Sequence, residues 1–270
     1  MRVQNSELRK EDEIGWGPAE VGSARPLPVG SFAISYRGPD GRRVRRSLAD
    51  AVHLPFYDFK PIRRYPAHRR QRHMPGLYWF ATTGRHVGCE SRLEARVLAL
   101  LDFDPVVEAV AAQPFLLHAT PGGSREVDHV PDFIALLESG QSRVIDVTPA
   151  ELRDRPERRE KFELTARACE LAGWQYALET EPDPVLLANV LALAGFRREP
   201  IGVDRFIDGL LEACKTPTTI GTLSEAVGPR MLVRPVIFHL LWKQLLIVDL
   251  TARLRDDAII AANTAAGAGG

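Results

Sequence analysis

The sequence predicts an α/β fold, a mixed sheet flanked by helices over residues 75–200 with a smaller helical module behind it. Two observations carry this. Short β-branched runs alternate with strongly periodic apolar helices through the middle of the chain, the pattern of a layered α/β domain. After residue 200 the pattern changes to three short helices followed by two strand-like runs. The chain has 270 residues, 45% of them hydrophobic and 26% charged, so it can bury a sizeable core and is not globally disordered.

Taken in order, residues 1–74 read as a basic N-terminal arm and a β-hairpin. Residues 31–37 alternate loosely, Gly38-Pro39-Asp40-Gly41 forms the turn, and 42–46 make a basic second strand. Pro55, Pro61 and Pro66 exclude a long helix over 54–73. Residues 89–101 predict a helix with Leu93, Val97, Leu98 and Leu101 on one stripe. Strands are expected at 106–112 and 115–118, within 127–137, and at 143–148. A helix over 156–172 stops at Gly173, a strand covers 174–179, and 184–194 is the last helix of this domain. Helices at 206–214, 220–227 and 233–242 follow, the last with Pro235 in its first turn, then a hairpin from 245–251 and 258–260. Three helices and a β-wing form a winged-helix-like pattern over 201–260. Residues 261–270 read as a disordered tail.

The formal net charge is zero, but the charge is unevenly placed. Residues 1–73 carry 15 basic against 8 acidic side chains, and residues 74–150 carry 5 against 10. A basic region seeks phosphate, and an acidic centre suits divalent cations. Cys89, Cys169 and Cys214 form no CxxC pair, which disfavours a zinc ribbon or disulfide scaffold and fits a reducing cytoplasm. The seven histidines show no HxH or HExxH spacing. The longest apolar runs are far short of a membrane span, and no secretory signal opens the chain. Absence of GxGxxG and GxxxxGK[ST] lowers a nucleotide-binding reading.

The chemistry-bearing residues are Glu90 and Glu94, Pro131-Asp132, and Asp146-Val147-Thr148. Glu90 and Glu94 share a helix face at i, i+4. Asp132 enters a strand, and Asp146 lies inside Val-Ile-Asp-Val, where a carboxylate is costly unless ligated or hydrogen-bonded. Carboxylates on adjacent strands can share a hard divalent cation such as Mg2+, with Mn2+ substituting. Ordinary roles stand beside this: a solvated helix face for Glu90 or Glu94, a turn or cap for Asp132. Cys89 reads as a packed residue, and His129 as packed or exposed, with a supporting contact to the site around Asp132 as the alternative.

The helix Glu, strand PD and following strand acid resemble the PD-(D/E)xK nuclease superfamily. The longer series Gly88-Cys89-Glu90-Ser91-Arg92-Leu93-Glu94, Leu101-Asp102-Phe103-Asp104-Pro105, Gln113-Pro114-Phe115, His129-Val130-Pro131-Asp132-Phe133 and Val144-Ile145-Asp146-Val147-Thr148-Pro149 resembles the TnsA-like endonuclease subunit of heteromeric transposases. The resemblance implies a restriction-endonuclease-like sheet and metal held by Glu94, Asp132 and Asp146. It implies magnesium-dependent cleavage of double-stranded DNA at transposon ends. It also implies a separate transposase subunit, an ATPase regulator and a bacterial, nucleoid-associated location. The pattern expects a lysine at position 148, where this chain has threonine. Lys161, on the following helix, is the lysine that could have migrated into that role; its ordinary reading is an exposed side chain beside Glu160 and Glu163.

For DNA contact the basic candidates are Arg63, Arg64, Arg69, Arg70 and Arg72, with Tyr65 for stacking, and the hairpin arginines Arg42, Arg43, Arg45 and Arg46. Rival readings are a DNA-binding assembly subunit that has lost cleavage, another nuclease of the superfamily, and a small-molecule-binding α/β domain.

Overall fold

The computed structural model describes residues 32–63, 76–121 and 125–264 and is of mixed α/β class. The described chain divides into two compact units, residues 32–181 and 182–264. Among the described residues no helix is long and apolar enough to cross a membrane.

The first unit holds two four-stranded sheets. In the first, β1 (Phe32–Arg37) pairs with β2 (Arg43–Ser47) across a turn in which Gly41 takes φ +80°, a conformation that favours glycine. On its other side β1 pairs with β6 (Leu116–Ala119), which pairs with β7 (Val127–His129), all antiparallel. The expected hairpin is therefore present, but it is built into a sheet with β6 and β7. It belongs to the same unit as the middle of the chain and is not a separate arm over 1–74.

The second sheet runs β10-β9-β8-β5, from β5 (Val107–Ala112), β8 (Phe133–Leu137), β9 (Ser142–Val147) and β10 (Gln175–Glu179). Only β9 and β10 are parallel, and α4 (Pro156–Ala172) makes the crossover that a parallel pair requires. Pro156 opens α4, and Gly173, at φ +71°, closes it in the left-handed conformation. The single strand expected within 127–137 is two strands in different sheets. Pro131 lacks an N–H and cannot continue a ladder, so the chain passes from one sheet to the other at Val130–Asp132.

The core lies between the sheets and α4. Ile34, Leu117, Ile134 and Val144 face Leu164, Ala168 and Cys169 of α4, with Phe56, Phe115 and Trp174 packed edge-on at one end. The helix α2 (Arg92–Phe103) begins three residues later than the apolar stripe predicts, because the Ser91 hydroxyl accepts the Glu94 N–H and fixes the start. Cys89 instead ends β4 (Arg85–Cys89), which pairs with β3 (Gly76–Phe80) in a hairpin the periodicity did not predict. The buried Asp102 carboxylate holds that hairpin. It accepts the Ala81 and Thr82 N–H groups and the hydroxyls of Thr82 and Tyr78. The short helices α1 (Leu48–Ala51) and α3 (Ala150–Arg153) complete the unit.

The second unit begins with α5 (Pro184–Ala194), so the boundary falls near 181 and not near 200. Asn189 explains this. Buried on α5, its amide donates to the Leu250 and Ala252 carbonyls and accepts the Leu254 N–H. Next come α6 (Ile207–Ala213), α7 (Ile220–Ala226) and α8 (Arg230–Trp242). A small antiparallel sheet follows the order β11 (Thr218–Thr219), β13 (Ile259–Ala262), β12 (Leu246–Val248). Because α8 starts at Arg230, Pro235 sits inside the helix and not in its first turn. Residues 1–31, 64–75 and 265–270, covering most of the expected arm and tail, lie outside the described residues. The tail expected from 261 does not begin there, because Ala261 and Ala262 belong to β13 and Ala261 is buried.

Candidate active site: an acidic cleft with basic flanks

A cleft of about 900 Å³ in the first unit is lined by Glu90, Glu94, Asp132 and Asp146 together with Arg63, Arg158, Lys161, Asp128 and His129. The structure therefore brings the three predicted acids to one cavity. Strand register is the reason. Phe133 of β8 is paired with Ile145 of β9, and one step further along that antiparallel pair Asp132 stands opposite Asp146. The Asp132 Oδ2 accepts the Val147 N–H at 2.7 Å. Glu94 comes from the first turn of α2, and its Oε2 accepts the Glu90 N–H. This contact and the Ser91 cap resemble a capping box, so Glu94 also orders the helix start.

Asp146 is 1% exposed and fully engaged. His129 Nε2 lies 2.7 Å from its Oδ1, and the Tyr176 hydroxyl donates to its Oδ2 at 2.9 Å. His129 is thus a partner of the buried acid, in place of a packed or solvated residue, while its ring edge also meets Phe162. Burial, then the Asp146 and Glu94 carboxylates, push the Asp132 carboxyl well above its ordinary range. Burial also raises Glu94, although the Glu90 N–H and Ser91 oppose it. Tyr176 and Cys169 are raised by burial and by the neighbouring Asp146 charge. Cys89 is likewise raised by burial and by Glu94, as befits a packed thiol and not a nucleophile.

Thr148 is wholly buried, and its Oγ1 accepts from Arg158 Nη1 at 2.9 Å. The cation beside position 148 is therefore an arginine from the first turn of α4. Lys161, three residues on, lines the same cleft with an exposed side chain. Sequence reasoning missed Arg158 and Tyr176. Both reach the site through the β9–α4–β10 crossover, and no short spacing announces them.

Arg63 also reaches the cleft, where its guanidinium pairs with Glu90 at 2.9 Å. Arg64, Arg69, Arg70, Arg72 and Tyr65 lie outside the described residues. On the hairpin, Arg43 and Arg46 are exposed, Arg42 pairs with Asp40, and Arg45 pairs with Glu126.

The three predicted ligands do not close on one point, because Asp146 and Glu94 turn toward donors within the protein. Among the described residues, the group whose ligand atoms all lie within 4.8 Å of one another is instead His118, Glu126 and Asp128, which could hold a metal ion. A signal for it was present in the sequence, since Glu126 and Asp128 alternate on one face of a strand. Their partner His118, however, is found only through the β6–β7 register. No family model matches the chain, and a comparison with curated proteins finds no match.

Proposed function

We propose that the first unit is a metal-dependent phosphodiesterase of the PD-(D/E)xK type, cutting double-stranded DNA at transposon ends as the TnsA-like subunit of a transposition system. One observation carries the reading: Glu94, Asp132 and Asp146 line a single cleft whose walls also carry Arg63, Arg158 and Lys161. Carboxylates alone repel a phosphodiester. Acids beside fixed cations suit one, because the acids can hold a hard divalent ion while the cations receive the phosphate oxygens.

The donors fit Mg2+ by type, all being carboxylate oxygens; to close on one ion, Glu94 and Asp146 would exchange a protein donor for it. Asp132, raised by burial and then by the Asp146 and Glu94 charges, is a group that a bound cation would relieve. Glu94, Asp132 and Asp146 would hold the ion, with Mn2+ able to substitute. When bound, such an ion polarises the scissile phosphate and lowers the pKa of a water. The chain's own residues do the rest. His129 and Tyr176 orient Asp146. Thr148 accepts from Arg158 and so steers that guanidinium, which takes the charge-offsetting part that the family pattern assigns to lysine at 148. Arg63 and Lys161 neutralise phosphates flanking the cut, and exposed Arg43 and Arg46 extend the basic surface. In this reading the second unit is the winged-helix-like module, and a transposase subunit and an ATPase regulator are the partners.

A second reading, a DNA-binding assembly subunit without cleavage, is favoured by one feature. Both oxygens of Asp146 are taken by protein donors and position 148 carries no charge of its own. The test is nicking of a transposon-end duplex in Mn2+ with the transposase partner present. Nicking lost in Asp132→Ala supports the first reading; DNA binding with no nicking supports the second.

A further inference from the structure

His118 is a buried imidazole on β6, 5% exposed, with both ring nitrogens engaged. Its Nε2 lies 2.9 Å from the buried Ser35 hydroxyl of β1. Its Nδ1 faces two carboxylates at once, Asp128 Oδ1 at 2.7 Å and Glu126 Oε1 at 3.2 Å. Asp128 stands directly opposite His118 in the β6–β7 register, and Glu126 is the diagonal neighbour on the same face. The far oxygen of Glu126, Oε2, is held by Arg45 at 2.7 Å. One ring nitrogen, which can present only one proton, is thus the focus of two acids.

This arrangement could hold a metal ion. A ligating histidine has its other ring nitrogen hydrogen-bonded, which fixes the ring, and Ser35 does that here. Ligand atoms about 2.0–2.2 Å from a tetrahedral ion stand about 3.2–3.6 Å apart; the Glu126 contact at 3.2 Å matches this spacing, whereas Asp128, hydrogen-bonded at 2.7 Å, would draw back by about 0.5 Å or more to admit the ion. Arg45 leaves one Glu126 oxygen facing the site while holding the other, so the carboxylate is set monodentate.

We propose that His118, Glu126 and Asp128 form a site for a borderline divalent cation of the zinc class, beside the acidic cleft that Asp128 also lines. The nitrogen ligand excludes magnesium as the preferred ion, since Mg2+ takes oxygen donors and keeps its waters. Binding puts the ion where an Nδ1 proton would sit: a charged ring gives that proton to solvent, and a neutral ring carries its single proton on Nε2, which donates to Ser35 Oγ. Three protein ligands leave a fourth position for water. Both Asp128 and His129 line the cleft, where Asp128 contacts His118 while His129 contacts Asp146. The proposal does not depend on the nuclease reading.

The experiment titrates the metal-free full chain, carrying Asp132→Asn to silence the cleft, with Zn2+ by calorimetry in two buffers of different ionisation enthalpy. Co2+ absorption is measured alongside. The expected result is one saturable Zn2+ site, release of no more than about one proton, and a tetrahedral cobalt spectrum. Glu126→Gln, an exposed position that does not threaten the fold, weakens binding at least tenfold, and excess Mg2+ does not compete. Absence of Zn2+ binding, or binding unchanged in Glu126→Gln, overturns the site and leaves His118 as a hydrogen-bonded histidine only.

Discussion

His129 Nε2 lies 2.7 Å from Asp146 Oδ1, and this contact joins a strand of the first sheet to a strand of the second. It stands beside Val130–Asp132, where the chain changes sheets, so one strand end positions both Asp132 and the residue that holds Asp146. The acidic pair is thereby part of the junction between the sheets and not a surface feature.

Removing His129 leaves Asp146 buried with Tyr176 as its remaining side-chain donor among the described residues. His129→Ala is expected to cost about 2–4 kcal/mol, the range for breaking a buried polar or charged pair. Urea denaturation checks this. A cost below about 0.5 kcal/mol would mean that Asp146 does not depend on the histidine.

Arg158 is exposed apart from its contact with Thr148, so Arg158→Ala should change stability by less than about 1 kcal/mol. The same change should slow nicking at least tenfold, and Arg158→Lys should lose less. Lysine at 148 is the natural rescue, and Thr148→Lys in the Arg158→Ala background should recover part of the rate. Single-turnover nicking of a duplex, with the folded state monitored by circular dichroism, separates the two effects.

Glu179, at the end of β10, is pushed up to about 7 by burial, with Arg143 opposing. A folded state that holds this proton more tightly than the unfolded chain loses stability as pH rises. The loss begins near the ordinary glutamate value and is complete above about 7. Partial solvent access screens the effect to about 1–2 kcal/mol. Glu179→Gln should therefore be the more stable protein at pH 8 and lose that advantage by pH 4. Thermal melts across this range test it.

Asp102 ties β3 and β4 to the end of α2 through two backbone and two hydroxyl donors. Asp102→Ala leaves those donors unmet and is expected to cost about 2–4 kcal/mol. Hydrogen exchange should quicken first at the Ala81 and Thr82 amides; uniform quickening across the unit would contradict a local clamp.

The parts legible in the sequence are those with local punctuation. Pro156 and Gly173 bound α4, Gly41 closes the first hairpin, and a lone acid within Val-Ile-Asp-Val marks Asp146. The parts that were not legible depend on pairing between distant segments. The union of β1 and β2 with β6, separated by almost seventy residues, has no local sign. Arg158 reaches Thr148 only because α4 folds back over β9, and His118 meets Asp128 only through the ladder. Asn189 reads as part of an apolar helix of the middle domain, yet its amide binds the carbonyls of Leu250 and Ala252 and assigns α5 to the second unit.

The central claim is that Glu94, Asp132 and Asp146 make one divalent-cation site. Mn2+ titration of the full chain by calorimetry, with a Glu126→Gln background to silence the histidine site, tests it most directly. The account predicts saturable binding that is lost in both Asp132→Ala and Asp146→Ala and is tightened by a transposon-end duplex. Absence of binding in the parent protein, even with the duplex present at millimolar metal, would contradict it.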